Sequence, residues 1–428
     1  MSTTITFADK PTIDVYKEGS KEALEILTSL NADPYGKIKR YGIKIAKNNS
    51  DPSARMTYMY DAVGMKPAKM NYSANVFDYG DWADIWFIKQ NKPVMLKSDG
   101  TEDYELNPDD YSKKADGSAS DYNNVTYDGN VMARIPLVYV SMTEDDNYEY
   151  ITVCNMKFDD TYKAIAHTKS DGSIVDNIYL GCFRGFVSQF GNVSSSKARS
   201  ISGRIDKDAY TISQWTNYAT ANGSGWNIGT WGQRMLINSL LWIIGKSDDT
   251  QTTFGRGNND SYNKSTSGGA NSSYNYMIAT GNLYNKGQFF GYSDDYHQVK
   301  VFHIEGWWGD RYNFIHGIMS ANGAVKVSLI GPYNYTGSGY TTVSEANASG
   351  GYGSTTVTNE YGRFTTAVGG SESTYTCDYQ YYYSNSDTRF ASVGGRCSDG
   401  SNCGASFVYV SYTSSNSGWY IGASLSFV

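Results

Sequence analysis

The chain has 428 residues, enough for two or three domains. Charged residues make up 18%, against roughly 25% in an ordinary globular chain, while tyrosine reaches 38 residues and glycine 44. With eight prolines and a net charge of −7, the sequence is neither collagen-like nor a proline-rich disordered chain. Its acidity argues against a nucleic-acid partner, because phosphate binding wants a basic face.

Met1 to Phe7 has no basic n-region and no apolar h-region, so no secretory signal is expected there. The longest apolar stretch, Leu240–Leu241–Trp242–Ile243–Ile244, is far short of the about 18 residues of a membrane span, and no membrane insertion is expected. The five cysteines, Cys154, Cys182, Cys377, Cys397 and Cys403, are odd in number and scattered. They do not form a disulfide framework; Cys397 and Cys403 are either one loop bridge or two reduced thiols.

Helical spacing of Ala23, Leu24, Ile26, Leu27 and Leu30 predicts a helix over Ser20–Leu30. Residues 1–35 are then an attachment or oligomerisation segment, or a surface helix packed on its own domain. Residues 36–130 read as a β-rich part. Val94–Lys97 is a strand followed by an Asp-Gly turn, and Asp109–Gly129 is a long exposed acidic loop. Ala133–Val140 is a strand whose Pro136 argues for a sheet edge, with Tyr148–Cys154 as its hairpin partner. Two helices follow. One spans Thr211–Ala221 and stops at Asn222–Gly223. The other opens on a Thr230-x-x-Gln233 capping box, is apolar around most of its circumference, and ends at Gly245–Lys246.

After Gly255 the chain is Gly/Ser/Asn/Tyr-rich and reads almost entirely as loops. The segment Val301–Phe302–His303–Ile304–Glu305–Gly306–Trp307–Trp308–Gly309–Asp310–Arg311 interrupts it, and a strand returns at Val325–Ile330. Phe407–Tyr412 alternates, with Val408 and Val410 facing inward and Tyr409 and Ser411 outward. So does the end, where Trp419, Ile421, Ala423, Leu425 and Phe427 form the buried side of one strand and Tyr420 lies opposite.

Four pieces, in this order, resemble the C-type-lectin-like fold of the branch shared with formylglycine-generating enzymes. They are Tyr179–Leu180–Gly181 with Ser200–Ile201–Ser202–Gly203, the helix Trp231 to Gly245, Ile304–Glu305–Gly306–Trp307–Trp308–Gly309, and Ser392–Val393–Gly394–Gly395. The resemblance covers about residues 131–428, or alternatively starts already at Tyr41. It is strongest to phage tail receptor-binding proteins, including variable proteins diversified by retroelements. Their ending is similar to Arg389–Phe390–Ala391–Ser392–Val393–Gly394–Gly395, Asn402–Cys403–Gly404–Ala405 and Trp419 to Phe427. The resemblance implies an α+β fold with a small, mostly antiparallel sheet, two packed helices and long loops. It also implies a variable region over about residues 375–428. Its candidate variable positions are Arg396, Cys397, Ser398, Asp399, Tyr409, Ser411, Tyr412, Asn416, Gly418 and Tyr420.

Catalysis is not expected. Cys397 and Cys403 follow two glycines, as in the oxidase branch, but at one residue wider spacing and without its basic, cysteine-rich surroundings. The histidines His167, His297, His303 and His316 form no zinc pair. Asp248–Asp249 and Asp294–Asp295 are solvated turns or, alternatively, calcium loops. No cofactor or metal is expected. The positive signal is compositional: residues 331–428 contain no lysine, only nine Asp, Glu and Arg, and a cluster that includes Tyr381 and Tyr383. Tyrosine gives a large rigid contact with a polar tip at low entropy cost, and Ser, Gly and Asn adapt around it. The alternative is packing in a β-rich viral protein. The resulting expectation is a non-enzymatic tail protein, made in the host cytoplasm and carried in the virion. It would bind a host-surface protein or glycan and other tail proteins, as a homo-oligomer with a trimer among the options. The other readings are a bacterial lectin-like adhesin and a formylglycine-type oxidase.

Overall fold

The computed structural model describes residues 3–5, 13–15, 38–189, 196–205, 209–264, 277–345 and 349–428. The expected helix Ser20–Leu30 lies outside them. The fold is mixed α+β, with several sheets that are antiparallel except at two strand pairs.

The capped helix is the centre. Thr230 Oγ1 accepts the Gln233 N–H, and the Gln233 side chain accepts the Thr230 N–H at 3.0 Å, closing the capping box. Every residue from Trp231 to Gly245 is buried. The left-handed cap is Lys246, not a glycine. Gly245 is needed for packing instead, since a Cβ there would lie 3.0 Å from the Phe254 ring. The shorter helix, Ile212–Thr220, has a second capping box, Thr211 with Gln214, and buries Ile212, Trp215 and Ala219.

A seven-stranded sheet runs in the order Trp226–Ile228, Leu425–Phe427, Asn177–Gly181, Asn130–Pro136, Lys92–Leu96, Glu102–Asn107, Asp110–Lys114. A four-stranded sheet pairs Tyr139–Glu144, Tyr148–Cys154, Arg40–Ala46 and Met56–Tyr60. Both sheets join strands from either side of residue 130, and one hydrophobic cluster extends from Tyr41 to Val410. The expected division at 130/131 therefore runs through shared sheets and a shared core.

Three local expectations change. The run 133–140 is two strands, and Pro136 ends a central one. Its missing N–H faces strand Lys92–Leu96, whose pairing stops at Arg134↔Lys92, so no ladder bond is lost. The hairpin partner of Tyr148–Cys154 is Tyr139–Glu144. The acidic segment 109–129 begins as a strand, and its Tyr111 is fully buried, with the hydroxyl 2.7 Å from His303 Nδ1.

The Gly/Ser/Tyr-rich half is not mainly loops. It forms a large sheet from Thr341–Glu345, Ala324–Val327, Tyr312–Ala321, Arg389–Val393, Val408–Tyr412, Tyr379–Tyr382, Gly351–Asn359 and Gly362–Val368. The C-terminal alternation is also split. Ile421–Gly422 joins this sheet beside Tyr312–Ala321, whereas Leu425–Phe427 joins the seven-stranded sheet. The last residues thus cross from one sheet to the other.

Candidate functional site: a tyrosine face

The Gly-Trp-Trp-Gly turn is held from both sides by buried arginines. Arg184 donates to the carbonyls of Gly306, Gly309 and Arg311. Arg234, on the capped helix, donates to the carbonyls of Trp307 at 2.8 Å and Ala405 at 2.8 Å. Gly394 closes against this turn at φ +87°, where a Cβ would lie 2.8 Å from the Trp307 carbonyl oxygen. The scaffold beneath residues 394–412 is therefore fixed by backbone-directed hydrogen bonds.

On this scaffold, Tyr379–Tyr382 runs parallel to Val408–Tyr412 and pairs Tyr381 with Tyr409. Tyr382 points into the core, 1% exposed, while Tyr379, Tyr381 and Tyr383 alternate outward. Val408 and Val410 are buried and Tyr409 is half-buried, as alternation requires. The alternation then breaks. The neighbouring strand pairs Ala391 with Val410 but Phe390 with Tyr412, which leaves Ser411 as the extra residue of a β-bulge. The bulge puts Tyr412, in place of Ser411, on the face of Tyr409. Their rings lie 5.6 Å apart.

The hub of the face is Tyr312, which the sequence reading missed. It is 5% exposed. Its ring lies 5.6 Å from Phe407, 6.0 Å from Tyr409 and Tyr412, and 6.3 Å from Tyr420. Tyr381 stacks on Tyr409 at 5.2 Å. The Arg396 guanidinium lies 4.7 Å from the centre of the Tyr420 ring and 5.2 Å from that of Tyr312. Arg396 Nε donates to Asp399 Oδ1 at 3.1 Å, and the Arg396 backbone N–H donates to Asp399 Oδ2 at 3.2 Å. Burial raises the Asp399 pKa, opposed by Arg396 and Tyr312. Burial likewise raises the pKa of Tyr312 and Tyr412, so their hydroxyls stay protonated.

The structure thus brings together Tyr381, Tyr409, Tyr412, Tyr420, Arg396 and Asp399. Ser398 sits half-buried in the turn between Arg396 and Asp399. The other expected positions have different surroundings. Cys397 is fully buried, and its backbone N–H donates to the Asp310 carbonyl at 3.0 Å, so it does not face outward. Asn416 holds its own loop, its Oδ1 accepting the Thr413 N–H at 2.7 Å. A Cβ on Gly418 would lie 2.7 Å from the Tyr420 ring, so Gly418 seats that ring and leaves no room for a side chain. Tyr383 stands beside the cluster under Arg389, whose guanidinium lies 4.3 Å from the ring centre. Trp419, expected in the core, is half-buried and stacks on Tyr262 at 6.2 Å.

Cys397 and Cys403 are free, buried thiols. Burial pushes the Cys397 pKa to about 12 and that of Cys403 well up. Asp248 is neither a solvated turn nor part of a calcium loop: it is buried between Arg363 and Arg55, while Asp249 caps the helix Thr250–Phe254. Asp294 pairs with His297, and Asp295 with Arg256. Among the described residues, no group of three His, Cys, Asp or Glu side chains is placed to hold a metal ion, and no helix is long and apolar enough to cross a membrane. No protein-family model matches the chain, and no curated protein matches it.

Proposed function

We propose that the chain is a receptor-binding protein of a phage tail, built on a C-type-lectin-like fold. In this reading the tyrosine face meets a host-surface protein or glycan. The observation that carries it is the convergence of Tyr381, Tyr409, Tyr412, Tyr420 and the Arg396–Asp399 pair on one half-buried surface around Tyr312. Three strands and two loops contribute to that surface. It offers aromatic area, protonated hydroxyls and a single locally neutralised ion pair, the chemistry of an adaptable recognition patch.

The lectin-like part of the reading is supported by the last strand, which returns to pair with Asn177–Gly181 and Trp226–Ile228, and by the turn 306–309 clasped to the capped helix. A binding role fits better than thiol chemistry, because Cys397 and Cys403 are buried with raised pKa values and the thiolate is the reactive form. A bacterial surface adhesin would use the same face. Substituting Tyr409, Tyr412 and Tyr420 together by alanine should abolish attachment to host cells while the chain remains folded by circular dichroism. Undiminished attachment by the folded variant would place recognition elsewhere.

A further inference from the structure

A second surface, sharing no residue with the tyrosine face, has the form of a ligand site. A cleft of about 650 Å³ lies between the segment 165–171, the turn 224–227, the start of the capped helix, residues 329–333 and the chain's last strand. That volume falls inside the range of roughly 300–1,000 Å³ usual for small-molecule sites. Its walls are mostly polar but nearly uncharged. Lys169 and Asp171 bring one charge of each sign at the rim, and the remaining polar side chains are Ser, Thr, Asn, Gln and Tyr.

We propose that this cleft binds a short neutral oligosaccharide. The Ser170 and Ser224 hydroxyls and the Asn227 amide nitrogen have no hydrogen-bond acceptor among the described residues, so they remain available to a hydroxyl-rich ligand. Half-buried Tyr333 and Phe427 add aromatic surface for the C–H faces of a sugar. The Tyr333 plane is set by stacking on His316, 5.3 Å between centroids and 8° from parallel. Opposite charges at the rim give an anionic ligand no net attraction.

An extended peptide is the natural rival, because Trp226–Ile228 is an edge strand at the cleft. Strand addition needs outward-facing backbone donors. The amide of Trp226 already donates to Gly223 O, and that of Ile228 to Asn227 Oδ1 at 2.8 Å. The edge therefore offers no free ladder at these two positions, and recognition falls to the side chains.

The test is a glycan microarray of neutral and acidic oligosaccharides probed with the full chain, followed by calorimetric titration of the strongest neutral hit. Ser170 and Ser224 are exposed at the rim. Ser224→Trp and, separately, Ser170→Trp should fill the cleft, leave the melting curve unchanged and weaken binding at least about tenfold. The tyrosine-face triple variant should keep that binding. Retention of acidic glycans only, no retention of any oligosaccharide, or full affinity in both tryptophan variants would overturn the proposal.

Discussion

The rings of Tyr312 and Tyr409 stand 6.0 Å apart and within 3° of parallel. One comes from the long strand Tyr312–Ala321 and the other from Val408–Tyr412, nearly a hundred residues later. The outer tyrosine thus rests on a buried one, and the face is pre-ordered before any ligand arrives. Pre-ordering lowers the entropy cost of binding, since rotamers that are already fixed need not be fixed again.

That arrangement predicts an order of stabilities. Tyr312→Ala removes the hub ring from a buried position and should cost about 3–5 kcal/mol, as large-to-small aromatic changes do. Tyr409→Ala removes a half-buried ring and should cost less, about 0.5–3 kcal/mol. Tyr312→Phe keeps the ring and its aromatic contacts, so its loss should be the smallest, roughly 1 kcal/mol or less. Urea denaturation of the three variants checks this. A Tyr409 variant less stable than the Tyr312→Ala variant would contradict the hub.

All five cysteines are buried free thiols. Burial raises Cys154 to about 11, Cys397 to about 12, and Cys182, Cys377 and Cys403 well above the ordinary thiol value. Neither access nor thiolate is available near neutrality. Ellman's reagent at pH 7.5 should leave the native protein essentially unlabelled and label all five thiols in guanidinium. Rapid labelling of Cys397 in the native state would show that residues 396–399 turn outward.

What the sequence disclosed and what it hid follow from the range of each signal. The capped helix was legible because Thr230, Gln233 and the apolar positions Met235, Leu236, Leu240, Leu241 and Ile244 are local features. The inward Val408 and Val410 were legible because alternation is a local period. The bulge at Ser411 was not, since it depends on the register of Arg389–Val393 opposite. The large sheet escaped because its strands, such as Gly351–Asn359, are Gly- and Thr-rich and draw their order from neighbours. Tyr312 escaped because nothing near it in sequence reports its partners at 407–420. Cys397 was misplaced because the resemblance set it among the variable positions, whereas the Asp310 carbonyl fixes its amide inside.

A buried acid gives a pH prediction. Asp378 is fully buried; its Oδ2 accepts the Ser406 N–H at 2.7 Å, and its Oδ1 has no partner among the described residues. Burial raises its pKa well above 3.8, with the Ser406 amide pulling the other way. A raised folded-state pKa means the folded protein holds a proton that the unfolded chain has released. The associated stability is complete below the unfolded value and is lost as pH rises through the folded one. Asp378→Asn should therefore match the parent at low pH and gain on it as pH rises. Thermal melts across that range check the sign, and a variant that falls further behind with rising pH would refute it.

The opposite sign is expected where the two halves of the chain meet. Glu149, on strand Tyr148–Cys154, receives the Arg363 Nε at 2.6 Å and the Thr358 hydroxyl at 3.2 Å. Arg363 also pairs with Asp248, and Arg55 reaches Asp248 at 3.4 Å, all four groups being buried. Burial alone would raise the Glu149 pKa, but Arg363, the Thr356 hydroxyl and Arg55 outweigh it and hold it below 4.5. Its contribution is therefore present above about pH 4.5 and is lost as pH falls through the lower folded value. Arg363→Met should invert this. Two buried carboxylates would then face each other with only Arg55 between them, costing about 3–5 kcal/mol at pH 7 as a broken buried pair does. The Glu149 pKa should rise once Arg363 no longer holds it down, so its protonation relieves the repulsion. The variant should recover stability relative to the parent as pH falls from 7 towards 5, a range in which Glu149 of the parent stays charged. Guanidinium midpoints for both proteins at those pH values decide it: parallel profiles would mean that Arg363 does not hold the carboxylates charged.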